Sequence, residues 1–61
     1  MNMYRIRREK GLTMEQVAAR AGISVSAAWR CEKGQVSTQL GTLRKIAKAL
    51  GVPLKELIGD E

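Results

Sequence analysis

Two short helical patterns separated by a single glycine constrain this chain more than any other feature of its sequence. The stretch GLTMEQVAARAGISVSAAWRCEKG, residues 11–34, has Gly11 and Gly34 at its ends and Gly22 in its middle. Glycine readily adopts the left-handed backbone conformation that ends many helices, so these three positions predict helix stops. Two helices joined so tightly are expected to cross each other.

Similar punctuation divides the whole chain into five predicted helices. Strand signals are poor, whereas helical periodicity and helix stops are frequent. Thr13 and Ser24 are good N-caps, and Gln16 follows Thr13 at the spacing of a capping box. These patterns predict a compact, all-α, five-helix fold. The helices are expected at about residues 2–10, with Asn2 as a candidate N-cap, at 14–21, 25–33 and 40–50, and after Pro53 as far as Gly59.

Length and charge limit the classes of protein to consider. Sixty-one residues form one small domain at most, residues 1–61, and so small a core often needs oligomerisation. Eleven basic and six acidic side chains give a net charge of +5. This balance favours anionic partners such as nucleic acid or an anionic membrane surface, although a solvated basic surface explains it equally well. The sequence shows neither a membrane-spanning run nor a signal peptide.

The residue types give no support for catalysis or metal binding. The chain has no histidine and one cysteine, and it lacks metal-ligand spacing and a phosphate-cradling glycine loop. We therefore expect no enzyme activity, no cofactor and no metal. Cys31 is predicted to be a small core residue, with redox sensing as the alternative, because a reactive thiol needs exposure.

The third predicted helix has a small apolar face and a larger polar face. On a helical wheel Ala27, Ala28 and Cys31 lie on one side. The other side holds Val25, Ser26, Trp29, Arg30 and Lys33. Small inward residues let the preceding helix approach closely, and Gly22 permits the tight turn between the two. This is the pattern of a helix-turn-helix motif, here at about residues 13–33, whose second helix enters the major groove of DNA.

The outward side chains of this helix are suited to reading duplex DNA. The major groove is about 12 Å wide and accepts a helix of about 10–12 Å. Arg30 can form a bidentate pair with guanine, Ser26 can hydrogen-bond several base edges, and Val25 can touch a thymine methyl group. Thr13 and Met14 lie at the N-terminus of the preceding helix, where a phosphate is favoured.

Three of the outward residues have a simpler interpretation. For Trp29, the alternative to a DNA contact is surface packing over Val25. Arg30 is expected to contact a base, with a phosphate as the alternative. Lys33 is expected either to contact a phosphate or to be solvated.

Residues 11–34 resemble the lambda-repressor-like, Cro-type helix-turn-helix family. Residues 42–57, TLRKIAKALGVPLKEL, look like the last two helices of the same family. The resemblance extends from Met3 to about Ile58, and its motifs are specific in combination. It implies a bacterial, archaeal or phage transcriptional regulator, more often a repressor than an activator, that binds double-stranded DNA in the cytoplasm.

The resemblance also assigns roles by position. Arg7 and Glu32 match a pair that forms an internal salt bridge between the first helix and the end of the third. The base-facing positions match Val25, Ser26, Trp29 and Arg30, and the phosphate-facing loop matches Gln35, Ser37 and Thr38. Met14 departs from the family, where a glutamine often bonds a phosphate. Ala28 and Cys31 are smaller than the usual residues, which predicts a thinner core beneath the third helix.

A homodimer is expected because one helix reads only a short half-site, and paired half-sites lie about 34–36 Å apart. The expected interface is the C-terminal region, with Val52, Leu54, Leu57 and Ile58, although the same leucines must also fill the core. No small-molecule effector and no membrane partner are expected.

Three other functions remain open. The first is a DNA-binding antitoxin or a restriction–modification controller with the same fold. The second is a protein-interaction adapter that does not bind DNA, against which Arg30 and the basic face argue. The third is a basic helix bundle at a membrane surface, against which the lack of a free apolar face argues.

Overall fold

Five helices make up the part of the chain that the structure, a computed structural model, describes: residues 2–34 and 40–59. The helices are α1 (Met3–Glu9), α2 (Met14–Ala21), α3 (Val25–Glu32), α4 (Leu40–Leu50) and α5 (Leu54–Ile58). Within those residues there is no strand, so the all-α prediction is confirmed.

The starts of α2 and α3 have the caps that the sequence predicts. The Thr13 hydroxyl accepts from the backbone N–H of Gln16 at 3.1 Å, and the Gln16 side chain accepts from the backbone N–H of Thr13 at 2.8 Å. The Ser24 hydroxyl accepts from the backbone N–H of Ala27 at 3.1 Å. Between the helices Gly22 has a φ of 70°, the left-handed conformation that favours glycine. The helix pair therefore has the tight turn that the sequence predicts.

Asn2 does not cap α1 with its side chain. Its φ of −103° and ψ of 14° lie outside the extended region that a capping residue normally occupies. Instead the Asn2 amide group donates to the carbonyl of Glu56 at 3.1 Å, and its backbone N–H donates to the carbonyl of Leu57 at 2.8 Å. Asn2 thus fastens the start of α1 to α5, a long-range role that a local sequence pattern does not reveal.

The core lies between α2 and the helices that pack on it. Helix α2 contacts both α3 and α4, while α1 contacts α3 and α5. The apolar residues buried there are Met3, Ile6, Met14, Val17, Ala18, Ala21, Ala28, Cys31, Ile46, Ala47, Leu50 and Leu57. Leu57 is 0% exposed, so its side chain is not available to the dimer interface in which the sequence placed it. Cys31 is a buried free thiol, as expected of a core residue.

Candidate nucleic-acid interface

The exposed side of α3 carries the four residues expected to face bases. Val25 is 36% exposed and Trp29 is 44% exposed. Ser26 and Arg30 are exposed as well. This side of the helix presents a guanidinium fork, a hydroxyl and two apolar groups to solvent, which is the mixture of donors and apolar contacts that base edges accept.

Small residues let α3 lie close to α2. Ala28 of α3 is fully buried, and Ala18 of α2 is 2% exposed. The turn that joins the helices is closed by a hydrogen bond of 3.0 Å from the backbone N–H of Ile23 to the carbonyl of Ala18. Because core side chains pack closely, this contact fixes the position of α3 relative to α2.

An ion pair fixes the far end of α3. The Arg7 Nε donates to Glu32 Oε1 at 2.8 Å, and its Nη2 donates to Oε2 at 3.2 Å. The third donor, Nη1, reaches the carbonyl of Leu12 at 3.1 Å. The two charged side chains are only 10% and 8% exposed. The hydrogen bond with Glu32 raises the pKa of Arg7 despite the opposing effect of burial. The pair expected from the family resemblance is thus present, and it joins α1, the α1–α2 turn and α3.

A cleft of about 310 Å³ lies where α1 ends, α2 begins and α3 passes. It is lined by Arg7, Arg8, Gly11, Leu12, Thr13, Met14, Glu15 and Trp29. The Trp29 side chain therefore lies beside the start of α2. The side chain is partly exposed to solvent and also lines this cleft.

The phosphate-facing predictions have mixed outcomes. Thr13 and Lys33 are exposed. Met14 is only 3% exposed, because its side chain packs in the core. Its side chain therefore cannot reach a phosphate as predicted, and only its backbone N–H, which has no partner inside the helix, remains for that role. The predicted loop contacts Gln35, Ser37 and Thr38 lie outside the described residues.

Tyr4 and Arg8 were not singled out from the sequence, yet they belong to the same surface. The Arg8 Nη1 donates to the Tyr4 hydroxyl at 3.4 Å. The Arg8 guanidinium carbon lies 5.6 Å from the centre of the tyrosine ring, and that of Arg7 lies 5.5 Å from it. The spacing of Tyr4 and Arg8, four residues apart in a helix, was the sequence signal that could have revealed the contact.

Neither a metal site nor a membrane helix is evident where the structure describes the chain. Among residues 2–34 and 40–59, no three histidine, cysteine, aspartate or glutamate side chains are grouped to hold a metal ion. No helix within these ranges has the length and apolar character required to span a bilayer.

Comparison with known proteins identifies relatives of similar type. Residues 3–57 match a family described as helix-turn-helix. An uncharacterized HTH-type transcriptional regulator of Sinorhizobium fredii is 46% identical over 93% of this chain and 74% of its own length. The cryptic phage CTXphi transcriptional repressor of Vibrio cholerae is 40% identical over 90% of this chain and 50% of its own length.

A third relative, the immunity repressor protein of Bacillus phage phi105, is 36% identical over 92% of this chain and 39% of its own length. This chain thus spans half or less of the two repressors, although it spans most of the Sinorhizobium protein. No solved structure matches it.

Proposed function

Because this chain belongs to the helix-turn-helix family and is a DNA-binding transcriptional regulator, we propose that it represses transcription by placing α3 in the major groove of an operator. The observation that carries this proposal is the exposed face of α3, which combines Arg30, Ser26 and apolar groups on a helix whose other face is packed in the core. Repression is favoured over activation because two of the relatives are named as repressors.

Base contacts are assigned to the exposed residues of α3. Arg30 pairs with the O6 and N7 acceptors of a guanine, an interaction that contributes about 1–3 kcal/mol of discrimination against other bases. Ser26 bonds a neighbouring base edge, while Val25 and Trp29 provide apolar contacts such as those made with thymine methyl groups.

Phosphate contacts hold α3 in register along the groove. Such contacts position a protein on DNA but do not read the base sequence. We assign them to the start of α2, at the exposed Thr13 and the backbone N–H of Met14, which has no partner inside the helix, and to Lys33 beyond the end of α3.

A homodimer accounts for recognition of a complete operator. Each protomer carries one α3, whereas a complete operator has two half-sites about 34–36 Å apart. Two copies are therefore needed to place two α3 helices in successive turns of the groove. Ile58 is 44% exposed, and Val52 and Leu54 are half-buried. These three residues, without Leu57, form the surface that we assign to the interface.

The proposal is tested by selecting bound duplexes from a random-sequence pool and titrating the protein with them. Fluorescence of Trp29, the only tryptophan, reports binding at several salt concentrations. We expect an enriched motif with two-fold symmetry and an affinity that falls steeply with salt.

A matched pair of variants distinguishes the loss of a base contact from the loss of a positive charge. Arg30→Ala is expected to lose the selected motif, whereas Arg5→Ala, which removes an equal charge from the exposed surface of α1, is expected to retain it. Absence of binding even at low salt would reject DNA recognition and favour the protein-interaction adapter.

A further inference from the structure

We propose that Arg8, held in place by Tyr4, binds a backbone phosphate in the cleft between α1 and Trp29. This inference rests on the proposed function, and it extends the DNA contact from the helix-turn-helix motif onto α1. It assigns a binding role to Arg8 and a positioning role to Tyr4.

Arg8 lies in the cleft beside the proposed base-reading helix. Its side chain is exposed and lines the 310 Å³ cleft that Trp29 also lines. Trp29 also lies on the exposed side of α3, the side that faces bases in the proposed complex. In that complex we expect a DNA strand bordering the groove to pass close to this cleft, because Trp29 belongs to both surfaces.

The neighbouring arginines of α1 are paired with carboxylates. Arg7 directs its donors to Glu32 and to the carbonyl of Leu12. Arg5 is paired with Glu9, with its Nη1 at 3.2 Å from Oε1. Arg8, by contrast, has no carboxylate within salt-bridge distance among residues 2–34 and 40–59.

Arg8 therefore keeps most of its donors for an external anion. A guanidinium carries five N–H donors in a planar fork that matches the oxygens of a phosphate. One hydrogen bond in the described structure uses this group, and its acceptor is the Tyr4 hydroxyl.

Tyr4 contacts the Arg8 guanidinium in two ways. The ring lies 5.6 Å from the Arg8 guanidinium carbon and accepts it by a cation–π interaction, in addition to the hydroxyl contact of 3.4 Å. A free arginine side chain loses rotamer entropy when it binds, and a side chain already held in place loses less. Tyr4 thus holds the guanidinium in a limited set of positions before DNA arrives.

Glu15 is the group in the cleft that opposes an anion. Its side chain is exposed and lines the same cleft, so its carboxylate repels an approaching phosphate. This opposition makes a specific prediction: Glu15→Gln should bind DNA more tightly than the wild type, by roughly two- to fivefold at low salt, with the gain declining as salt screens the charge.

The principal experiment compares Arg8→Gln with Arg5→Gln on two probes, the duplex selected from the random pool and a random-sequence duplex of equal length. Both variants lose one positive charge from α1. We expect Arg8→Gln to weaken binding roughly 5- to 20-fold, by a similar factor on both probes. It should also make the negative slope of log affinity against log salt shallower, by about one per bound protomer. Arg5→Gln should change affinity less and leave the slope nearly unaltered.

Tyr4→Leu tests the positioning role separately. It keeps the Arg8 charge but removes both the ring and the hydroxyl, so affinity should fall by roughly threefold while the salt slope changes less than in Arg8→Gln. Urea unfolding of each variant establishes that the protein is folded at the assay temperature.

The outcomes separate this inference from the proposed function. Equal effects of Arg8→Gln and Arg5→Gln on affinity and slope would overturn the phosphate role of Arg8. If the wild type nevertheless selects a motif that Arg30→Ala loses, the proposed function stands. A wild type that binds neither probe at low salt would remove both.

Discussion

The Arg7–Glu32 pair shows how much one substitution can alter at the residue scale. Glu32→Ala would leave the Arg7 guanidinium nearly buried beside Leu12, with its charge uncompensated. Breaking a buried pair in this way destabilises a protein by about 3–5 kcal/mol. We expect urea unfolding of Glu32→Ala to show a loss in that range, which is a large share of the stability of so small a domain.

The other ion pair of α1 provides the control. Arg5 and Glu9 are 53% and 63% exposed, and exposed pairs contribute about 0–1 kcal/mol. Glu9→Ala should therefore unfold at nearly the wild-type urea concentration. A similar loss in both variants would mean that burial does not distinguish the two pairs.

Cys31 links stability to pH. Burial raises the pKa of the Cys31 thiol, and the neighbouring Glu32 carboxylate adds to the rise. Below the ordinary thiol pKa of about 8.5, the folded and unfolded chains both keep the proton. Above it, only the unfolded chain loses the proton readily, so the free energy of unfolding falls as pH rises.

Urea unfolding between about pH 7 and pH 9.5 measures this effect. Because lysine and tyrosine also begin to titrate there, the comparison is with Cys31→Ala, whose stability should decline less steeply over the same range. Parallel pH dependence in the two proteins would contradict the linkage to the thiol.

At the scale of the elements, alanine substitutions at two glycines should change stability in opposite directions, because only one of the glycines has a positive φ. Gly22 ends α2 with a φ of 70°, and a Cβ added there would meet no atom within 4 Å. Gly22→Ala therefore costs stability through backbone conformation alone, about 1 kcal/mol or more. The measurement is the urea midpoint.

Gly41 is the matched control because it is the second residue of α4, has no positive φ and also has open space where a Cβ would be. Gly41→Ala should stabilise the protein by about 0.5–1 kcal/mol, since alanine has the higher helix propensity. Destabilisation at both positions would contradict this account of the two glycines.

The same elements show what a sequence can predict. Helices α2 and α3 were predictable because their signals are local: a capping box at Thr13 and Gln16, a cap at Ser24, and a left-handed glycine after α2. The role of Asn2 was not predictable, because its partners Glu56 and Leu57 are distant in sequence.

The residues of the candidate site were also predictable only in part. Helical periodicity placed Trp29 and Arg30 on the outward face of α3, where both are exposed. It did not reveal that Met14 turns inward, nor that Arg8 reaches the cleft beside Trp29. These depend on how α1 and α2 pack around α3, and no single helix pattern contains that information.

At the scale of the whole molecule, the proposed homodimer places the C-terminal surface between the two copies. One protomer carries one α3, so we expect it to occupy a single half-site. Leu57 already fills the core, whereas the neighbouring Ile58 is 44% exposed. Of these two adjacent residues, only Ile58 offers an apolar side chain to a second copy without disturbing the fold.

We therefore expect Ile58→Ser to leave the urea midpoint nearly unchanged and to weaken binding to a duplex with two half-sites by about tenfold or more. A duplex that contains one half-site is the control, because binding of a single protomer does not use the interface and should be unaffected. Equal losses on the two duplexes would place the effect of Ile58 in the protomer and not between protomers. Sedimentation of the wild type as a single copy on the two-half-site duplex would contradict the dimer itself.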